Sequence, residues 1–455
     1  MKAPKQGILL LILVGFATTS WSQNKLPIFK EKTDSIEYEK ISLRMRELFT
    51  MMRDTSNINR DSISTRVSYL MKRQESMRDK ISGFRYAFEP AYRVLEDILP
   101  EERDTITQVA IIKKSELPTA LYRFKNLKAL ELIDNRMNKL PRKLRKFKNL
   151  ATLKIYSDKS GKNLKLPKNS TIKTLIICSP HLPKKFNSLK NLHRLDLSKN
   201  NLKEFPKLSG CKKLTELSLR ENQLTLENLK ANSKTLEILE LQNNHVKHVP
   251  AALVNFPNLK RLGLNYNQIE SMDGQLAQLN KLEQVGLYSN QLVAVPEALY
   301  QISSLKELDL YYNQIERLGE KAANWKKLEV LYLSNNKLLS LPLNIGELSN
   351  LRELYLHSNR LSELPESVGK LANLKILRVN SNYLPLVPDA LSNLQKMERL
   401  DIANNQLNSL PFSFFQLPKL KFISLLGNQW DEATRKEIRK QAEELEKKEV
   451  VVLFN

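Results

Sequence analysis

The chain has 455 residues, which fits either two or three ordinary domains or one elongated repeat array. Twelve glycines, 41% hydrophobic residues and 27% charged residues exclude a collagen-like or disordered chain. A formal net charge of +24 favours anionic neighbours, and two cysteines alone exclude both a disulfide scaffold and a zinc framework.

The N-terminus reads as an export signal. Lys2 and Lys5 precede an apolar run from Ile8 to Phe16, and Ser20 and Ser22 supply the small residues that a signal peptidase inspects. The signal peptide is therefore expected to span 1–22, with cleavage after Ser22. An uncleaved anchor is the alternative, although the run is short against the roughly 20 apolar residues of a spanning helix. No cysteine follows the run, so a lipid-attached version is not expected. The mature protein is expected outside the cytoplasm, in the periplasm, on the surface or secreted.

Residues 23–105 are polar and charged, with Ile41, Met45, Leu48, Phe49 and Met52 at helical spacing, followed by Phe84, Phe88, Tyr92, Leu95 and Ile98. This spacing predicts two or three helices. They read either as an N-terminal cap or as a small partner-binding segment.

From residue 106 to 428 the chain is periodic. Asn244, Asn267, Asn290, Asn313, Asn336, Asn359, Asn382, Asn405 and Asn428 recur at one interval of 23 residues, each closing the pattern Leu-x-x-Leu-x-Leu-x-x-Asn or a close variant of it. Asn200 and Asn222 extend the ladder. In the coil that starts at Leu351, Leu354 and Leu356 point inward from a short strand and Asn359 turns the chain. Leu361, Leu364, Val368 and Leu371 complete the lining, and Pro365 breaks any helix there. The asparagine amide both donates and accepts, so it satisfies backbone groups that the turn leaves unpaired.

A single coil cannot bury its own leucines, so the coils must stack and their strands must pair in parallel. About fifteen coils are expected. Those starting at Ile106, Leu150 and Ile172 carry Lys114, Asp158 and Pro180 at the asparagine position and should be looser. Ser157 to Ser170 is expected to be an irregular loop, and Cys178 and Cys211 are expected to stay unbridged. Residues 429–455 read as a C-terminal cap, a charged helix starting near Asp431 and a final strand over Val450 to Phe454.

These motifs resemble the leucine-rich-repeat superfamily. The return path Leu364-Pro365-x-x-Val368-x-x-Leu371 is similar to its 23-residue class, found in Ras-binding scaffolds, Scribble-type proteins and many bacterial repeat proteins. The resemblance implies an α/β leucine-rich-repeat solenoid, a curved right-handed coil with a parallel sheet on its concave face. It also implies protein recognition on that face.

Residues between the strand leucines face outward, and from the coil at Leu259 onward they are aromatic-rich: Tyr266, Tyr288, Tyr311, Tyr312, Tyr332, Tyr355 and His357, with Arg378 next. Exposed Tyr and Arg often dominate binding energy. The alternative is that the tyrosines stack on one another and stabilise a long sheet. A second anomaly lies in residues 127–213, where 23 Lys or Arg stand against five acidic residues, with Arg142, Lys143, Arg145, Lys146 and Lys148 on one return path. That stretch is either a solvated face or a site for an anionic glycan or lipid surface. Nucleic acid is not expected, because the chain is exported and holds no recognised nucleic-acid module.

No nucleophile elbow, phosphate-binding glycine loop, His-Glu-x-x-His pair or Cys-His arrangement is present, so no catalytic residue, metal site or cofactor is assigned. The expected function is a non-enzymatic scaffold with a protein partner. Adhesion to an anionic glycan or lipid through the basic coils is the second reading, and the oligomeric state is left open.

Overall fold

The structure, a computed structural model, describes residues 25–29, 81–86 and 93–454, except 136, 138, 158–164, 167, 180–181, 184–185, 187–188 and 209. The chain divides into two compact units, 1–93 and 94–455. In the first, strands Lys25–Phe29 and Ile81–Tyr86 pair antiparallel. Helical spacing predicted otherwise for Phe84, which lies in the second of these strands. Leu95 begins a short 3-10 turn, Leu95–Asp97, and Pro100 begins another, Pro100–Asp104, so the second apolar set forms no single helix among the described residues. The first set, from Ile41 to Met52, lies outside them.

In the second unit the strand of each coil adds to one parallel sheet, from Gln108–Ile112 through Arg261–Gly263 and Val330–Tyr332 to Val451–Leu453. Pairing is in strict repeat register, with Leu262 opposite Val285 and Leu308 opposite Leu331. The leucines behind this sheet form one continuous core, in which Leu259, Leu264, Leu351, Leu354 and Leu356 are fully buried. At roughly 2 kcal/mol per buried leucine, stacking is the main source of stability.

The return path is not free of helix. Pro365 stands immediately before a 3-10 turn over Glu366–Lys370, and Pro250, Pro296, Pro388 and Pro411 also precede one helical turn each. A proline lacks an N–H and has a preset φ, so it opens a turn without loss while preventing the helix from running backward.

The early coils differ from expectation. Their strands are longer, five residues each over Gln108–Ile112, Ala129–Ile133, Thr152–Tyr156 and Thr174–Cys178, against three in later coils. Asn135 belongs to the ladder, accepting from Lys114 N at 2.7 Å and donating to the carbonyls of Ile111 and Ile133. In the next two coils buried Ser157 and Ser179 stand at the turn: Ser157 donates to Asn135 O, and the Ser179 N–H donates to Asn200 Oδ1 at 2.7 Å. Asp158 and Pro180 lie outside the described residues, as does most of the loop expected over 157–170.

Cys178 ends its strand half-buried, Cys211 is buried, and no disulfide joins the two. At the C-terminal end a helix spans Glu432–Glu446. Asp431 Oδ1 accepts from Thr434 N at 2.6 Å to start it, and Ile438 and Leu445 are buried.

Candidate binding face

The asparagine ladder fixes the backbone on which the concave face is built. Asn313 Nδ2 donates to Leu287 O at 2.9 Å and Leu310 O at 3.1 Å, and its Oδ1 accepts from Leu292 N at 3.1 Å, so one side chain ties two coils together. Asn290, Asn336, Asn359 and Asn382 repeat the pattern. The residue before each asparagine takes the left-handed conformation, with φ of 55° at Asn243, 56° at Tyr266, 54° at Ser289, 53° at Tyr312 and 52° at Asn335. Gly and Asn tolerate that geometry, whereas most other residues, tyrosine included, pay roughly 1–2 kcal/mol there.

Sequence reasoning treated the tyrosines as one set, but the fold sorts them into three rows. Tyr332 and Tyr355 lie within paired strands, directly opposite each other. Tyr288, Tyr311 and His357 sit two residues further along their strands, and Tyr266 and Tyr312 occupy the left-handed turn. Two ring clusters result. Tyr288 contacts Tyr266 edge-on at 4.8 Å and Tyr311 face-on at 5.2 Å, while Tyr312 packs against both Tyr288 and Tyr311. Tyr311 reaches His357 at 5.6 Å, and Tyr332 stacks on Tyr355 at 4.8 Å.

Tyr266 and Tyr312 are exposed, at 44% and 40%, but Tyr355 is buried at 8%. The expectation of an exposed Tyr355 is therefore corrected: its ring is covered by Tyr332 and its hydroxyl donates to Glu353 Oε2 at 2.7 Å. Arg378 is also engaged within the sheet, 3.6 Å from Asp401. His357 Nδ1 shares a hydrogen bond with Ser334 Oγ at 2.7 Å.

Burial sets the electrostatics of this face. It pushes the Tyr332 hydroxyl up to about 12, with Glu353, Glu307 and Asp309 adding to the effect, and it raises Tyr288 and Tyr355 further. The tyrosines therefore stay protonated at neutral pH and present hydrogen-bond donors. Asp309 is pushed up to about 6 by burial and by neighbouring Glu307, against the lowering effect of the Tyr311 N–H.

Two features escaped the sequence reading. At the second position of the coils from Leu236 onward, acidic and basic residues alternate, save for Arg352 followed by Lys375, and pair across coils: Lys260–Glu237 at 2.9 Å, Lys306–Glu283 at 3.0 Å, Arg352–Glu329 at 3.1 Å, and Glu398 between Lys375 and Lys421. The signal was the alternation of Glu and Lys or Arg every 23 residues. These pairs are exposed and contribute about 0–1 kcal/mol each. The second feature is a hollow of about 250 Å³ over Gly263 and Gly286, lined by Glu240, Arg261, Glu307 and Asp309.

On the return path, Arg142, Lys143, Arg145, Lys146 and Lys148 are all exposed around buried Leu144 and Phe147. Lys143 lies over the Tyr122 ring at 5.8 Å, and among the described residues no carboxylate pairs with any of the five. Also among the described residues, no group of three or more His, Cys, Asp or Glu is placed to hold a metal ion.

Comparison with known proteins agrees with this architecture. Family models described as "Leucine-rich repeat region", "Leucine rich repeat" and "Leucine Rich repeats (2 copies)" match residues 320–453, 234–292 and 190–231. The chain belongs to the leucine-rich-repeat superfamily. A leucine-rich-repeat protein of Leptospira interrogans has a similar structure, with a TM-score of 0.59 and 25% identity over 79% of this chain and 97% of that one. The Arabidopsis receptor kinase HAESA, solved in complex with the peptide hormone IDA, gives a TM-score of 0.53 and 26% identity over 73% of this chain and 60% of that one. Human leucine-rich repeats and immunoglobulin-like domains protein 3 is 32% identical over 103 residues, covering 21% of this chain. Human volume-regulated anion channel subunit LRRC8A is 33% identical over 120 residues, covering 26% of this chain. The matched stretches span only 9% and 12% of those two relatives. Leucine-rich-repeat proteins act in general as protein-binding scaffolds, and the fold is typically not enzymatic.

Proposed function

We propose that this leucine-rich-repeat protein is a non-enzymatic scaffold of the cell envelope or secreted fraction that recognises a partner protein on its concave face. The observation that carries the reading is the tyrosine cluster. Tyr266 and Tyr312 stand exposed in a backbone conformation that disfavours them, at the edge of a contiguous aromatic surface. Large aromatic side chains bring contact area at modest entropic cost, and interfaces are enriched in them. HAESA, whose solved complex holds a peptide hormone, supports a protein ligand for this kind of sheet. The export reading rests on the N-terminal signal, and among the described residues no helix is long and apolar enough to cross a membrane.

A second reading has its own observation. The exposed basic side chains from Arg142 to Lys148, which have no acidic partner among the described residues, suit an anionic glycan or lipid headgroup surface. Salt distinguishes the two readings, because charge-driven binding is screened over about 10 Å at 0.1 M salt while a desolvated aromatic interface is not.

The test is capture from envelope and secreted fractions with the native protein and with a Tyr288, Tyr311, Tyr312 and Tyr332 to Ala variant. A protein retained at high salt and lost with the variant supports the concave-face reading. Capture that ignores the variant and vanishes with salt moves the site to the basic coils.

A further inference from the structure

One row of side chains crosses the sheet face at the last position of successive strands: Glu240, Gly263, Gly286, Asp309, Tyr332, Tyr355, Arg378 and Asp401. Two adjacent glycines interrupt it, and strands lie about 4.8 Å apart, so the gap from Glu240 to Asp309 spans on the order of 14 Å. A Cβ at Gly286 would stand 2.6 Å from Asn265 Oδ1 and one at Gly263 would meet the ends of Glu240 and Gln242, so a larger residue at either position would have to push these side chains aside and fill the space they border. Those polar side chains lean over the glycine floor. The space between is the hollow of about 250 Å³, room for on the order of eight waters.

The walls carry a consistent chemistry. Glu240 is already held by Arg220 at 3.3 Å, and Arg261 donates to Gln284, which in turn donates to Glu307 Oε2 at 2.8 Å. Asp309 is different. Its carboxylate accepts the Tyr311 N–H at 3.1 Å, and among the described residues no lysine or arginine pairs with it. It is half-buried at the edge of the hollow beside Glu307. Because strand side chains alternate faces, Gly286 shares its face with Tyr288, and Asp309 shares its face with Tyr311. The notch therefore opens next to the stacked rings of Tyr288 and Tyr311.

We propose that this notch receives a lysine or arginine side chain from an extended segment of the partner protein. The cation would lie over the glycine floor against the Asp309 carboxylate, with its stem along Tyr288. The glycines supply depth and the tyrosines supply both apolar contact for the stem and attraction for the cation. An extended segment crossing the strands keeps one side chain in the notch while its neighbours rest on the aromatic surface. This inference rests on the concave-face reading and specifies the chemistry of the partner.

The experiment selects displayed 12-residue linear peptides on the full chain, with the four-tyrosine variant as counter-selection, and measures the best binder by calorimetry. The enriched peptides should share one basic residue at a fixed position. Replacing it with citrulline or norleucine should weaken binding about tenfold on the native protein and much less on Asp309→Asn, the signature of a close charge pair. Asp309→Asn keeps the acceptor for the Tyr311 N–H and is expected to fold. Gly286→Val, checked by circular dichroism, should abolish selectivity for the basic residue by filling the notch. Peptides that depend on the tyrosines but lack a fixed basic residue, or that lose nothing with citrulline, would overturn the notch and leave the concave-face reading intact. No enrichment over the four-tyrosine variant would overturn both.

Discussion

Asp309→Asn should make the protein more stable at neutral pH and no more stable in acid. The native carboxyl is lifted from about 3.9 in an unfolded chain to about 6, chiefly by burial and then by Glu307. One pKa unit corresponds to about 1.4 kcal/mol, so ionising this group in the folded protein costs about 3 kcal/mol. The sign follows from which state holds the proton more tightly. Below about pH 3.9 the carboxyl is protonated in both states and the penalty is absent; as pH rises through 6 the folded state bears the whole of it. Asparagine keeps the acceptor for the Tyr311 N–H and never ionises. Urea unfolding of both proteins at pH 4 and 7.5 isolates Asp309 together with its coupling to Glu307, because titrating groups that do not interact with it contribute equally and cancel in the difference. The unfolded carboxyl is already half ionised at pH 4, so the variant should gain about 2.4 kcal/mol relative to the native chain between those two pH values. A difference that stays flat within about 0.5 kcal/mol would refute the account of Asp309 as a carboxylate lacking a counter-charge. A bound basic peptide should lower the same penalty, so its affinity should rise from pH 5 to pH 7 on the native protein only.

Other perturbations probe the scaffold and the face separately. Asn313→Ala strands the Leu292 N–H, while the Leu287 and Leu310 carbonyls keep the amides of Asn290 and Asn336, so it should cost about 1–3 kcal/mol in chemical denaturation; a loss below about 0.5 kcal/mol would show that the ladder contact is dispensable. Tyr266→Gly should leave stability within about 1 kcal/mol, since relief of the left-handed backbone offsets the lost contact with Tyr288, yet it should weaken partner capture. A large stability loss with unchanged capture would make the ring structural. Trp325→Phe removes the hydrogen bond from Nε1 to the Leu299 carbonyl at 2.7 Å, a carbonyl that keeps the Ile302 N–H, and should cost about 0.5–1.5 kcal/mol by thermal unfolding. Of the two thiols, half-buried Cys178 should react with maleimide in the native protein while buried Cys211, its thiol pushed up by desolvation, should not; equal rates would contradict the packing of that coil.

Sequence alone determined the parts that repeat. A 23-residue interval of leucines and asparagines admits one solution, stacked coils with paired strands, because no coil can bury its leucines or satisfy its turn alone. The run of charged residues after Asp431 was equally legible, since helix patterning is local. Tertiary structure decided whatever depended on neighbours across coils. Ser157 and Ser179 stand at the turn where the ladder asparagine was looked for one residue later, a shift that shows only once adjacent coils are aligned. The N-terminal apolar spacing was compatible with a helix, yet Phe84 pairs in a strand with a segment more than fifty residues away. The same holds on the concave face. The sequence supplied the tyrosines, but only the registered sheet separates buried Tyr355 from exposed Tyr266 and sets Gly263 beside Gly286. Parallel pairing turns positions 23 residues apart into side chains about 4.8 Å apart, and a surface composed that way is a property of the stack.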